Sequence, residues 1–270
     1  MWHYSVTGHA VETLLDQYLA GGKRYAGYVS SSGSGGTLGA GYYLKHKFPR
    51  SQVVAAEALQ CATLLYNGFG AHRIEGIGDK HVPWVHDCKE TDFVVAVDDE
   101  VPMRALRLFN EPVGRTALVD NGVAATLVEQ LDLLGISGIG NMVAAIKYAK
   151  YNELTEDDYV VSIATDSMQL YGSRLSELEA ERGVYSAADA QRDLELVDSV
   201  AIDHTKELSY YEKKAVHNLK YYTWIEQQGR EVQELNEQWY DHDNYWYPMF
   251  DQVHEVDALI TRFNERVGLL

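Results

Sequence analysis

The chain is poor in cysteine, proline and positive charge. It has 270 residues but two cysteines and five prolines. Cys61 and Cys88 stand in no CxxC spacing, which argues against a disulfide scaffold and against a cysteine-type zinc site. Two buried free thiols in a reducing cytoplasm are expected instead. Lys and Arg number 23 against 40 Asp and Glu, a formal net charge of −17. Phosphate backbones and anionic lipid surfaces both need a basic face, so neither a nucleic acid nor a membrane is expected as partner. No run is long and apolar enough to span a bilayer, and no basic segment followed by an apolar one opens the sequence. There is no GxSxG, which removes the nucleophile elbow of a hydrolase. His72, His81 and His86 lack the i, i+4 spacing of a helical metal pair, and His242 and His254 are no better placed, so no metal is expected.

What is present is a core. Hydrophobic residues make up 46% of the chain, enough for a globular fold. Tyr25 to Ser30, Val53 to Glu57, Phe93 to Val97 and Tyr159 to Ala164 are short apolar runs of the kind buried on both faces of a sheet. Helical spacing separates them: Val11 to Leu19, stopped by Gly21-Gly22; Leu38 to Phe48, ended before Pro49; Pro102 to Phe109; Ala124 to Leu134; Met142 to Tyr151. A second glycine-rich turn, Gly135 to Asn141, is predicted ahead of the last of these. The alternation predicts an α/β domain, a mostly parallel sheet with flanking helices, which binds ligands at the carboxyl ends of its strands.

Beyond about residue 171 the pattern changes. Ser173 to Gln191 reads as one charged helix. Leu208, Tyr211, Ala215, Leu219, Tyr222 and Ile225 share one helical face, and Val232, Leu235 and Trp239 suggest a further helix. Trp239 to Phe250 is dense in aromatic residues, expected as a packing surface. The chain thus divides into an α/β part, 1–171, and a helical, aromatic-rich extension, 172–270.

The segment with most chemistry is Ser31-Ser32-Gly33-Ser34-Gly35-Gly36-Thr37, between a predicted strand and a predicted helix. Glycine lets backbone N–H groups close on an anion, the following helix start adds a positive dipole end, and hydroxyls add donors. A dinucleotide fingerprint is a weak alternative, because Leu38 stands where its third glycine belongs.

Taken with four other segments in the same order, this loop resembles the pyridoxal-phosphate enzymes of the tryptophan-synthase-β group (fold type II), in their cysteine synthase and cystathionine β-synthase branch. Gly33 to Thr37 is similar to the family's GTGGT loop, with Ser34 for Thr. Val53 to Glu57 is similar to its next strand, with Ala58 where Pro is common. His72-Arg73-Ile74-Glu75-Gly76-Ile77-Gly78 resembles its HxIxGIG stretch. Gly135 to Gly138 resembles its GISSGA turn, with Ile139-Gly140 in place of Gly-Ala. Val160 to Ser167 resembles the strand whose terminal Ser faces the pyridine nitrogen.

The resemblance implies pyridoxal 5′-phosphate as cofactor. It implies Gly33, Ser34, Gly35, Gly36 and Thr37 on the phosphate, Gly76, Ile77 and Gly78 alongside, and Ser167 at the pyridine nitrogen, with the adjacent Asp166 structural. The implied activity is β-replacement or β-elimination on a small amino acid, as lyase or transferase, by a homodimer. The family's Schiff-base lysine sits in an SxK(D/N)R context in its first half, ahead of the segments matched here. Lys23, Lys45, Lys47 and Lys80 do not match it, so no catalytic residue is expected in this chain. A complementary N-terminal half chain is then the expected partner, and the alternative is a non-catalytic scaffold or partner subunit.

Overall fold

The structure is a computed structural model and describes residues 1–270. In chain order its elements are α1 (Gly8–Tyr18), β1 (Arg24–Ser31), α2 (Leu38–Lys47), β2 (Gln52–Ala58), α3 (Thr63–Tyr66), β3 (Phe93–Val97), α4 (Glu100–Asn110), α5 (Pro112–Asp120), α6 (Ala125–Val128), α7 (Ile136–Tyr151), β4 (Asp158–Ser162), α8 (Gly172–Arg182), α9 (Ala187–Asp198), β5 (Thr205–Glu207), α10 (Tyr210–Lys220), α11 (Val232–Tyr240), α12 (His242–Asp251) and α13 (Val253–Val267). The strands form one sheet in the order β4-β1-β2-β3-β5. The first four are mutually parallel, and β5 runs antiparallel along the edge of β3.

The strand sequences explain a sheet covered on both faces. In β2 and β3, Val54, Ala56, Val95 and Val97 enter one core while Val53, Ala55 and Val94 enter another, the period-two alternation of a pleated strand. The first core is closed by α4, α5, α7 and α9 through Leu106, Leu118, Ile139, Val143 and Ala190. The opposite face is closed by α1 and α2 through Val11, Leu15, Tyr43 and Leu44, with Val216 of α10 beside them. Each fully buried leucine of this kind is worth about 1.5–3 kcal/mol relative to exposure. No helix is long and apolar enough to cross a membrane.

Several expectations need correction. Gly135 to Asn141 is not a turn: only Gly135 lies outside α7, and Ile136, Ser137, Gly138, Ile139, Gly140 and Asn141 are helical. Ile136, Ile139 and Val143 all bury in the main core, and that apolar face outweighs the helix cost of two glycines. The predicted helix from Ser173 to Gln191 is two, α8 and α9, broken at Gly183 with φ +80°. Between Ala124 and Leu134 the chain makes the single turn α6 and a short 3₁₀ segment, and α5 was not anticipated. The extension from residue 172 contains a strand, β5, and its α8 and α9 share the sheet's main core through Leu178 and Ala190. Along α10 and the turns after it the expected apolar face is only partly buried: Leu208 is buried and Leu219 packs against the second core, but Tyr211 and Tyr222 are 82% and 59% exposed, whereas Val216, His217, Lys220 and Thr223 are buried.

Candidate functional site

β1 carries the candidate loop to the carboxyl edge of the sheet. The chain passes from β1 to β2 and β3 on one side, then returns through α7 to β4 on the other side of β1. The strand order reverses between β1 and β4, the kind of crevice in which open parallel sheets hold ligands. Asn141 of α7 closes its floor. Its side-chain oxygen accepts from the Ser31 amide at 2.8 Å and the Ser31 hydroxyl at 2.5 Å. Its amide group donates to Ile163 O at 3.3 Å. One buried side chain thus ties the ends of β1 and β4. Sequence reasoning missed it; the one signal was a lone polar residue in the apolar run from Ile139 to Ala144.

The loop itself is shaped by neighbours. Gly78 N–H donates to Ser32 O at 3.1 Å, and a Cβ on Gly33 would lie 3.7 Å from Gly76 O and from Ile77 Cα. The two glycine segments picked from sequence therefore lie side by side. Gly78 has φ +87°, and a Cβ there would collide with the His72 ring. Gly35 has φ +83°, and its Cβ would meet His86 at 3.2 Å; both positions require glycine. The amides of Gly33, Ser34, Gly35, Gly36 and Thr37 donate to no backbone acceptor. They meet no side-chain acceptor either, although their neighbours Ser31 and Ser32 are bonded. Five successive unpaired donors ahead of a helix start form a nest suited to an anion. The Thr37 hydroxyl does not join them: it donates to Ser31 O at 3.1 Å and braces the loop.

Ser167 lies further along the same edge, past the end of β4. Gly135 N–H donates to Asp166 O at 3.0 Å, and the Tyr171 hydroxyl donates to Asp166 Oδ2. Ser137 and Thr165 hydroxyls meet at 3.0 Å. Ser167 is half-buried and makes no side-chain bond to the loop.

Behind the loop, Glu57, next to last in β2, is almost fully buried. Its carboxylate accepts from Leu64 N–H and Leu65 N–H, both at 2.9 Å, and so caps α3. Burial pushes its pKa up to about 7 against the pull of those amides. Glu57, Ser32, Gly33 and Gly78 share a cavity of about 10 Å³, room for one water.

Beneath Gly35 lies a buried polar cluster that sequence reasoning did not find. Lys220 of α10 is fully buried and donates to Trp84 O at 3.0 Å, His86 O at 2.6 Å and Gln238 Oε1 at 2.8 Å. Burial lowers its pKa. His86 bonds the Thr91 hydroxyl at 2.9 Å, and burial with the nearby Lys220 charge lowers its pKa to about 3. His217 is depressed to about 3 for the same reasons. His242 meets Asp87 at 2.7 Å, and that partner raises its pKa despite burial. The cluster seats His86 under the loop and so fixes the loop from the extension's side.

No family model matches the chain. Cystathionine β-synthase of Saccharomyces cerevisiae is 30% identical over 176 residues, 63% of this chain and 31% of that protein. Cysteine synthase of Staphylococcus aureus is 29% identical over 112 residues, 41% of this chain and 36% of that protein. A hydrogen sulfide-producing enzyme of Fusobacterium nucleatum matches in structure with a TM-score of 0.50 at 25% identity, covering 71% of this chain and 50% of its own. The chain spans about a third of the length of these curated relatives and about half of that solved structure. Loop, strand order and relatives point the same way: over the part they share, the proteins this chain is similar to are cysteine synthase and cystathionine β-synthase-like enzymes of pyridoxal-phosphate fold type II.

Proposed function

We propose that this chain holds the phosphate and pyridine ends of pyridoxal 5′-phosphate in an amino-acid enzyme of β-replacement or β-elimination. The observation that carries the reading is the row of five unpaired amides from Gly33 to Thr37 at the carboxyl end of β1. Those N–H groups, with the Ser34 hydroxyl, suit a phosphate dianion without help from Lys or Arg. Gly76, Ile77 and Gly78 form the loop's neighbouring wall, and Ser167 is assigned to the pyridine nitrogen. A neutral hydroxyl there holds the ring nitrogen less protonated than a carboxylate does. When bound, the cofactor supplies the electron sink for loss or exchange of a β-substituent.

In this reading residues 1–171 form the cofactor part and 172–270 its cover, in a cytoplasmic homodimer or beside a complementary N-terminal half chain. No lysine of the chain stands in the family's SxK(D/N)R context, which supports supply of the cofactor-binding lysine by another chain and equally the second reading, a non-catalytic partner subunit.

The test is a visible spectrum of the purified chain with pyridoxal phosphate, before and after borohydride, followed by intact mass. Reversible binding without a covalent adduct, abolished by Gly36→Asp, supports the reading. A single stable adduct on one of the chain's own lysines overturns the assignment of that lysine elsewhere. No binding in wild type overturns the cofactor assignment. Activity that arises only on mixing with a lysine-bearing half chain separates a split enzyme from a scaffold.

A further inference from the structure

A second polar cavity, of about 220 Å³, opens between α4, α8 and α9. Arg104 and Arg107 of α4, Arg182 of α8 and Arg192 of α9 line it, with Asp189 and Asp193 as the carboxylates in its walls. In a chain of net charge −17, four guanidiniums around one cavity run against the overall composition. Their existing partners do not use them fully. Arg104 stands 3.3 Å from Glu100 and 3.5 Å from Asp193 through Nε alone, the long end of ion-pair range. Arg107 is 4% exposed. It holds Gly183 O at 3.0 Å, reaches Glu111 at 3.4 Å and lies over the Tyr185 ring at 4.7 Å. These contacts leave its Nη1 without a partner, although a buried guanidinium gains most from planar, paired acceptors. Arg192 spends Nε on Ala188 O and Nη2 on Asp189. Asp193 is buried, which raises its pKa, and it already accepts from the Tyr185 hydroxyl at 2.9 Å.

We propose that this cavity binds a compact phosphoryl anion, of phosphate to pyrophosphate size, gripped by the free guanidinium arms of Arg104, Arg107 and Arg192. Two considerations fix the class. Arginine forks match phosphoryl oxygens in pairs. A space of about 220 Å³ falls below the volumes typical of drug-sized ligands, so a whole nucleoside triphosphate does not fit inside.

The site also reaches the glycine segment. Glu100 receives Arg182 at 2.6 Å and Arg73 at 2.5 Å, and Arg73 lies three residues before Gly76. An anion drawing Arg104 inward loosens its hold on Glu100 and leaves that carboxylate to Arg182 and Arg73.

Isothermal titration of the full chain tests the site, with pyrophosphate, orthophosphate and glycerol phosphate as separate probes at matched ionic strength. The Gly36→Asp background silences the glycine loop, so the two anion sites are read separately. The expected result is one pyrophosphate per chain in that background, weakened at least tenfold by Arg104→Gln or by Arg192→Gln. Stronger binding of glycerol phosphate than of orthophosphate assigns the site to a phosphate ester, and the reverse order assigns it to free inorganic anions. Arg192 is mostly exposed, so its variant keeps the test open if Arg104→Gln fails to fold. Equal response to chloride, no binding in Gly36→Asp, or undiminished binding in Arg192→Gln with a folded protein would overturn the proposal. None of those results depends on pyridoxal phosphate binding.

Discussion

The sheet and its C-terminal cover are held by different physics. β2 and β3 bury almost nothing but Val, Ala and Phe. The cover buries His217, Lys220, Thr223, Gln238 and His242, and Lys220 has three neutral acceptors but no carboxylate among its hydrogen-bond partners. An apolar core needs shape and volume and tolerates many sequences. A buried polar latch needs every partner, because a lost one leaves the others desolvated and unpaired. The first arrangement makes the platform; the second sets His86 against Gly35 and so fixes the candidate loop from outside the sheet.

The largest effect is expected where the apolar side is cut. Phe93 is fully buried, edge-on to Tyr148 at 5.4 Å and to Tyr151 at 4.9 Å. Phe93→Ala should lose about 3–5 kcal/mol of unfolding free energy, read by urea denaturation. Lys220→Met cuts the polar side. It removes a costly buried charge but strands two carbonyls and the Gln238 oxygen, and a net loss of about 2–3 kcal/mol is expected. Intact stability in Lys220→Met would mean that the cover is held by its tryptophans and not by the latch.

Titration sharpens the contrast next. Glu57 is a carboxyl raised from 4.5 to about 7 by burial. A raised acid contributes its stability fully below the unfolded pKa and loses it as pH rises through the folded pKa. Its share of stability therefore falls between about pH 4.5 and 7. The depressed His86 and His217 act in the opposite sense: their neutral forms stabilise above the unfolded value of 6.5 and lose that contribution as pH falls toward 3. Comparison of wild type with Glu57→Gln cancels the histidines. The variant should lack roughly 2 kcal/mol of the wild type's decline between pH 5 and pH 8, even though Gln offers one acceptor to the two amides that Glu57 caps.

Legibility followed the same division. The apolar run Phe93 to Val97 marks β3 to the residue, and the resemblance sets the Gly33 to Thr37 loop and the Gly76 to Gly78 segment beside one cofactor, where the structure has them in contact. Hydrophobic periodicity reports burial by apolar contact, so it works where burial is apolar. It read Gly135 to Asn141 as a turn because glycine marks turns on average, and the packing of Ile136 and Ile139 overrode that preference. It had no means to find Asn141, Glu57 as a cap, or Lys220, since each acts through partners distant in sequence.

The smallest effect tests that explanation directly. Tyr211 and Val216 both lie on α10, and periodicity favours the tyrosine as the buried one. The tyrosine is 82% exposed, and Val216 is 8% exposed against the second core. Tyr211→Ser should change stability by less than about 0.5 kcal/mol, as surface substitutions do. Val216→Ser places an unpaired hydroxyl in an apolar contact and should cost about 1–3 kcal/mol. Equal costs would mean that Tyr211 covers an apolar surface in an assembly. Unequal costs in this order mean that α10 is oriented by Lys220 and His217 rather than by its aromatic stripe, so that the polar latch determines which face of the cover meets the loop.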